Sequence, residues 1–230
     1  IVRRPDPLPC PYCAAGEWDM CRNGGYTERG IKERHGFGAE LFRIEPEFAV
    51  AVDRDLGLAA VLMEPTSIVA KAWDQVARTG RRSAAWSARN ALITGAGPIG
   101  LLAALIGRQR NLDVHVLDRN TEGPKPGLIR DLGATHHATP QSLRDLRFDI
   151  VMECTAATAL IVEAIERCAP SGTVCLLGVS SAGHETGFDI GAFNRKLVLG
   201  NEAVFGAVNA NLSHYRQAAE ILSRSDRAWL

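Results

Sequence analysis

The chain has 230 residues, and its 26 Lys and Arg are balanced by 26 Asp and Glu, so charge points to neither a nucleic acid nor a membrane surface as partner. That length accommodates one large or two modest domains with a well-buried core. No apolar run approaches the roughly 18 residues of a spanning helix and no signal-peptide pattern opens the chain, which starts at Ile1 rather than Met and reads as a segment of something longer.

Residues 1 to about 60 are loop-rich, with a proline and cysteine cluster. Cys10, Cys13 and Cys21 sit there with C-x2-C spacing and a third thiol nearby, the beginning of a tetrahedral zinc site; Asp6 is the nearest candidate for a fourth ligand. Metal-free loop cysteines are the alternative. Leu41-Phe42-Arg43-Ile44 and Phe48 to Val52 alternate as strands do. After Glu64-Pro65 the spacing of Ile68, Val69, Ala72, Trp73 and Val76 predicts a helix with one apolar face. Thr79 to Arg89, with Gly80 and its arginines, reads as a connection between domains.

From Asn90 the pattern becomes strand, helix, strand. The apolar run Ala91-Leu92-Ile93 leads into Gly95-Ala96-Gly97-Pro98-Ile99-Gly100, an apolar helix, and a second strand Val114 to Leu117 that ends in Asp118. This is the phosphate-binding corner of a dinucleotide fold. Gly95 permits the tight turn, Gly97 lacks a Cβ that would block a pyrophosphate, and Gly100 lets the helix lie close on the sheet. Pro98 fits the first helical turn, where its missing N–H has no intrahelical partner. Free amides and the positive helix end face the phosphates. Asp118 suits the ribose hydroxyls of NAD and repels the extra phosphate of NADP, while Arg119, ahead of Asn120, is placed to pair with that phosphate.

Phe148 to Cys154 reads as a buried strand. A helix carrying Leu160, Ile161, Ala164, Ile165 and Cys168 inward follows it, then strands over Gly172 to Val179 and Ala203 to Val208. A last amphipathic helix carries Leu212, Tyr215, Ala219 and Leu222. Cys154, Cys168 and Cys175 read as core residues. No chemistry is assigned to His35, His115, His136, His137, His184 or His214. The alternation predicts an α/β protein with a doubly wound parallel sheet, a Rossmann cofactor domain.

A cysteine-rich lobe, Glu64-Pro65 opening a helix and a G-x-G-P-x-G unit together resemble the zinc-dependent medium-chain dehydrogenases. Val2-Arg3-Arg4, Gly25 to Ile31, His35-Gly36-Phe37, Gly178 and Val208-Asn209-Ala210-Asn211 narrow the resemblance to their glucose 1-dehydrogenase branch. It implies part of a GroES-like, β-rich catalytic domain over residues 1–88, the Rossmann domain over 89–211, and the start of a returning catalytic segment over 212–230. It also implies NAD or NADP and zinc as cofactors, a sugar substrate, a dimer or tetramer, and a cytoplasmic location.

By the same resemblance, Glu64 supplies a carboxylate to the catalytic zinc or its water, and Glu28, Glu64 and Asn209 contact the sugar. Leu177, Gly178, Val179, Ala207 and Val208 border the nicotinamide, and Asn209 lies near both nicotinamide and sugar. The family's other catalytic-zinc ligands precede Ile1, so this chain is expected to bind cofactor but not to turn over. Pro7 stands where many relatives have a fourth lobe cysteine, which leaves the structural zinc one ligand short. The implied reaction is oxidation of an aldose, D-glucose first, at C1 to the lactone. Another polyol or alcohol dehydrogenase, or a non-catalytic dinucleotide-binding sensor, are the alternatives.

Overall fold

The computed structural model describes residues 3–182 and 187–230; Val2 and His184 lie outside them. The chain forms two compact units. One holds residues up to Lys71 together with Val208–Ala228 and Leu230, and the other holds Ala72–Ala207 and Trp229.

The second unit is built on six parallel strands: β1 (Asn90–Thr94), β2 (Asp113–Leu117), β3 (Thr135–His137), β4 (Phe148–Glu153), β5 (Cys168–Leu176) and β6 (Ala203–Gly206). Their order across the sheet is β3-β2-β1-β4-β5-β6, so the winding reverses between β1 and β4. In β1 the consecutive residues Ala91, Leu92, Ile93 and Thr94 are all fully buried, and Ile150 to Glu153 of β4 are nearly so. Neighbours along a strand point to opposite faces, so both faces of the sheet are covered, as a doubly wound fold requires. Phe148, Val151, Ala164, Cys168 and Val174 pack together in its core.

Among the described residues, six α-helices of eight residues or more accompany the sheet and the first unit: α1 (Met63–Gly80), α2 (Pro98–Gln109), α3 (Pro124–Asp131), α4 (Thr158–Glu166), α5 (Ile190–Gly200) and α6 (Leu212–Ser223). In α1 the expected residues Val69, Ala72, Trp73 and Val76 are buried, whereas Ile68 is only partly so. Taken through a kink at Gly57 (φ 52°), Arg54–Gly80 contains an 18-residue window of mean hydropathy 1.2, long and apolar enough to cross a membrane, contrary to the expectation from the sequence. Of that window 44% is buried inside the fold. The segment 79–89 is not a free connection. α1 runs on to Gly80, and Arg82 donates to the carbonyls of Ser171, Gly172 and Asn201 at the amino ends of β5 and β6.

Three sequence readings are corrected. Leu41–Ile44 and Phe48–Val52 are not strands. Glu45-Pro46 opens a single turn over Pro46–Phe48, Leu41 is 91% exposed, and the aromatic side chains pack locally, Phe42 on Phe37 and Phe48 on Trp18. A strand needs a partner for its peptide groups, and none lies beside this segment among the described residues. Cys168 opens β5 rather than ending α4, because the helix stops at Glu166. Gly100 keeps the corner tight: a Cβ there would lie 1.8 Å from the Gly95 carbonyl oxygen just after β1 and 3.6 Å from Ile93 within it. Gly107 adds a second close approach, where a Cβ would meet Val114 at 2.9 Å and Trp73 at 3.2 Å.

Two of the corner's three glycines should therefore respond differently to a methyl group. Gly100→Ala should lower thermal stability by about 1–3 kcal/mol. Gly97→Ala, with no atom within 4 Å of its Cβ, should keep the melting temperature and lose NADH binding, as thermal melts and fluorescence titration would report.

Candidate functional site

In the sheet unit, the ends of β1 and β2 meet at the point where strand order reverses, the usual ligand crevice of such sheets. Gly95 adopts φ +86° and its N–H donates to Leu117 O at 2.8 Å. Gly97 caps α2 with extended backbone, and Pro98 takes the first helical position. Ala96 N–H donates to Asp118 Oδ2 at 2.7 Å, so the acid at the end of β2 holds the glycine loop. Asp118 Oδ1 accepts from Asn120 N at 2.9 Å and from its side-chain amide, and Lys125 Nζ lies 3.5 Å from Oδ2.

Burial alone would push the Asp118 carboxyl up. The Ala96 and Asn120 hydrogen bonds and the Lys125 charge outweigh it and hold the group below the ordinary aspartate value. The ionised carboxylate is thus already well supplied with donors. Beside it lies a cleft of about 400 Å³ lined by Asp118, Arg119, Asn120, Lys125, Ala138 and Leu160, with Arg119 and Asn120 exposed.

The carboxyl ends of the next strands carry Leu177, Gly178, Val179 and Ala207. Leu177 N and Gly178 N donate to Glu153 O, and Ala207 N donates to Leu176 O. A Cβ on Gly178 would lie 2.3 Å from Ala156 N, so the backbone there admits only glycine. Val179 is 83% exposed.

Sequence reading missed Glu153. It is fully buried at the tip of β4 and accepts from Thr94 Oγ1, Thr155 N and Oγ1, and Ala156 N, which fixes the turn against Gly95 and Gly178. An acid closing the run Ile150-Val151-Met152 was the available signal. The histidine cluster on β2 and β3 was also not foreseen. His115 Nδ1 and His137 Nε2 are 2.8 Å apart with stacked rings, His115 Nε2 faces Asp113, His137 Nδ1 faces Ser142, and His136 Nε2 bonds Asp118 O.

In the first unit, Glu28 is 3% exposed and accepts from Arg3 Nε at 3.1 Å and from Asn209 Nδ2 at 2.8 Å. Val208 and Asn209 belong to this unit, and Asn209 holds a left-handed φ of +64°. Glu64 is exposed in the first turn of α1, where its carbonyl accepts from Ser67. Burial pushes the Tyr215 phenol up to about 12; a hydrogen bond with Ser67 opposes this, and the charges of Glu64 and Glu28 add to it.

Cys10, Cys13 and Cys21 converge with their sulfurs within 4.8 Å of one another. The Arg22 amide and Cys13 hold the Cys10 thiol down to about 6, whereas burial pushes Cys13 up to about 11. Asp6 is not part of this group. Its carboxylate accepts from Leu8 N and Gly25 N and so shapes the cysteine loop instead. His35 is exposed, and the buried His214 closes a capping box with Asn211 at the start of α6.

A parallel sheet in 3-2-1-4-5-6 order with this glycine corner defines a Rossmann-type dinucleotide fold. The family model "Glucose dehydrogenase C-terminus" matches residues 57–230. The chain belongs to that family. It is 37% identical over 235 residues to glucose 1-dehydrogenase of Methanocella arvoryzae, covering 99% of this chain and 65% of that protein. To the Thermoproteus tenax glucose 1-dehydrogenase it is 34% identical, covering 98% of this chain and 63% of that one. The chain therefore spans less than two thirds of the length of these relatives. Among solved structures, Haloferax mediterranei glucose dehydrogenase in complex with NADP, Zn and gluconolactone aligns with a TM-score of 0.87 and 28% identity, over 99% of this chain and 66% of that one.

The histidine cluster gives the sheet unit an acid sensitivity. Burial and the neighbouring His115 and His136 hold His137 below its ordinary value of 6.5, so protonation is harder in the folded state than in the unfolded one. Stability present above the ordinary value of 6.5 should fall as pH drops below it. His137→Gln should flatten that dependence in thermal melts across the range.

Proposed function

We propose that this chain is the cofactor-binding and part of the sugar-binding portion of an NAD(P)-dependent glucose 1-dehydrogenase, oxidising an aldose, D-glucose first, at C1 to the lactone. The observation that carries the reading is the Asn209–Glu28 hydrogen bond. It joins an amide and a buried carboxylate from distant parts of the chain, a pairing suited to sugar hydroxyls, which donate and accept at once. The NADP, zinc and gluconolactone of the Haloferax mediterranei complex support the same choice of chemistry.

The residues fit a dinucleotide. The space beside Gly97 is open, the α2 amino terminus offers free amides, and the Asp118 cleft has room for an adenosine. Because Asp118 is already hydrogen-bonded to Ala96 and Asn120, the exposed Arg119 and the nearby Lys125 favour acceptance of the extra phosphate of NADP alongside NAD. Gly178 and its neighbours at the end of β5 offer backbone groups to the nicotinamide half. The three converging thiols suit a structural zinc, with the fourth ligand open. For a catalytic zinc this chain offers Glu64, an exposed carboxylate whose ligand partners would come from elsewhere in the whole protein.

When bound, the nicotinamide supplies hydride acceptance and the zinc Lewis-acid polarisation of the sugar oxygen. The chain's own residues supply orientation. Glu28 and Asn209 fix the pyranose hydroxyls, and Tyr215, held neutral by its raised pKa, keeps a proton beside the two glutamates. A cytoplasmic location would keep the chain's six cysteines reduced. The exposed Ile190, Val198 and Leu199 of α5, next in sequence to the edge strand β6, fit assembly into a dimer or tetramer.

The test is the initial rate of cofactor reduction by the complete protein with D-glucose, with NAD and NADP, before and after chelation. Glucose-dependent reduction that chelation abolishes is expected. Glu28→Gln or Asn209→Ala should lower kcat/KM for glucose by on the order of 100-fold and affect NADPH affinity far less. Unaltered glucose kinetics in both variants would remove them from the site.

A further inference from the structure

Lys71 and Asp19 form a buried ion pair that the proposed reaction does not use. Lys71 Nζ lies 2.7 Å from Asp19 Oδ2, with side-chain exposures of 3% and 1%. Such a pair is not in itself a strong source of stability, since two apolar residues of similar volume often serve as well. What distinguishes this one is where its remaining hydrogen bonds go. Lys71 Nζ also donates to Val208 O at 2.7 Å, the carbonyl of the residue immediately before Asn209. Asp19 Oδ1 accepts from Asn211 Nδ2 at 2.9 Å, two residues beyond it.

The ion pair therefore grips the chain on both sides of Asn209, a non-glycine residue held at φ +64°, where L side chains are disfavoured. A second arm leaves from the same place. The Asp19 carbonyl accepts from Arg3 Nη1 at 3.1 Å, while Arg3 Nε donates to Glu28 Oε2. Asp19 is thus joined to both members of the Glu28–Asn209 pair, to one through Lys71 and Asn211 and to the other through Arg3.

We propose that Lys71 and Asp19 are positioning residues for the sugar site, holding Asn209 and Glu28 in register through the Val208 carbonyl, the Asn211 amide and Arg3. The proposal rests on the reading of Asn209 and Glu28 as sugar contacts. A purely structural role would make activity follow stability. A positioning role separates the two, because an apolar pair can restore packing without restoring the donor to Val208 O.

The experiment uses the complete protein with Asp19→Asn, Lys71→Met and the double variant Asp19→Leu/Lys71→Met, alongside Asn209→Ala. Thermal melts, NADPH titration and glucose kinetics are read for each. The single variants should lose thermal stability and the double variant should regain most of it. In every folded variant, KM for glucose should rise by on the order of ten- to a hundred-fold, with NADPH affinity within about two-fold of the parent. A folded double variant with parental KM for glucose would overturn the proposal. So would a parallel loss of NADPH and glucose binding. Should the double variant not fold, Asp19→Asn, isosteric and neutral, decides on the same readouts. Parental kinetics in Asn209→Ala would instead remove the underlying reading of the site, a failure distinct from the other two.

Discussion

The sheet unit depends on a steric constraint six residues long. Between Gly95 and Gly100 the chain must leave a parallel strand, turn, and start a helix so tightly that a methyl group at the second position would lie 1.8 Å from the carbonyl oxygen of the first. Gly95 meets the turn with a positive φ, and Asp118 then fixes the loop by accepting the Ala96 amide. Because the bond runs from the end of β2 to the loop after β1, closing the corner also sets where these two strands end. The buried Glu153 does the same for the turn after β4. Three strand tips around the reversal of the sheet are thus held by carboxylates and backbone amides, leaving the α2 amino terminus open toward the crevice.

The first unit is organised by a different principle. Regular structure is sparse between Arg3 and Asp53, with little beyond short turns and a two-residue ladder between Glu28–Arg29 and Glu33–Arg34. One apolar cluster in it gathers Trp18, Phe48, Val50, Met63 and Leu212 around Ala210 and Tyr215. Side-chain charge carries much of the specification instead. Arg3 bonds Glu28, Arg4 bonds Glu45 while lying over Phe48, and Lys71 bonds Asp19. Directional bonds of this kind set where backbone and side chains face more sharply than apolar contact does.

How much was legible in the sequence follows from these two principles. Gly95, Gly97 and Gly100 are backbone demands at fixed spacing, and a sequence states those directly. The buried strands β1 and β4 are legible because both faces are covered, which leaves uninterrupted apolar runs. Alternation misled at Leu41–Ile44 and Phe48–Val52, where apolar side chains pack on each other and on Arg4 without a neighbouring strand. Asp6 looked like a metal ligand by position, but its oxygens were already claimed by two amides that spacing cannot reveal. Nothing local announces the pairing of Lys71 with Asp19, since the two come from distant segments. Glu28 and Asn209 were reached through family resemblance, and their direct hydrogen bond is a fact of the fold alone.

The central claim is that the corner between β1 and β2 receives the adenosine half of a dinucleotide. The direct measurement is an amide NMR titration of this chain with ADP-ribose, which lacks the nicotinamide and so isolates that half. The largest shifts are expected at Ala96 through Gly100 and at Asp118 through Asn120, with the Ala96 amide among the most affected. Saturating ADP-ribose that leaves those amides unmoved, or that shifts residues only in the first unit, would contradict the claim.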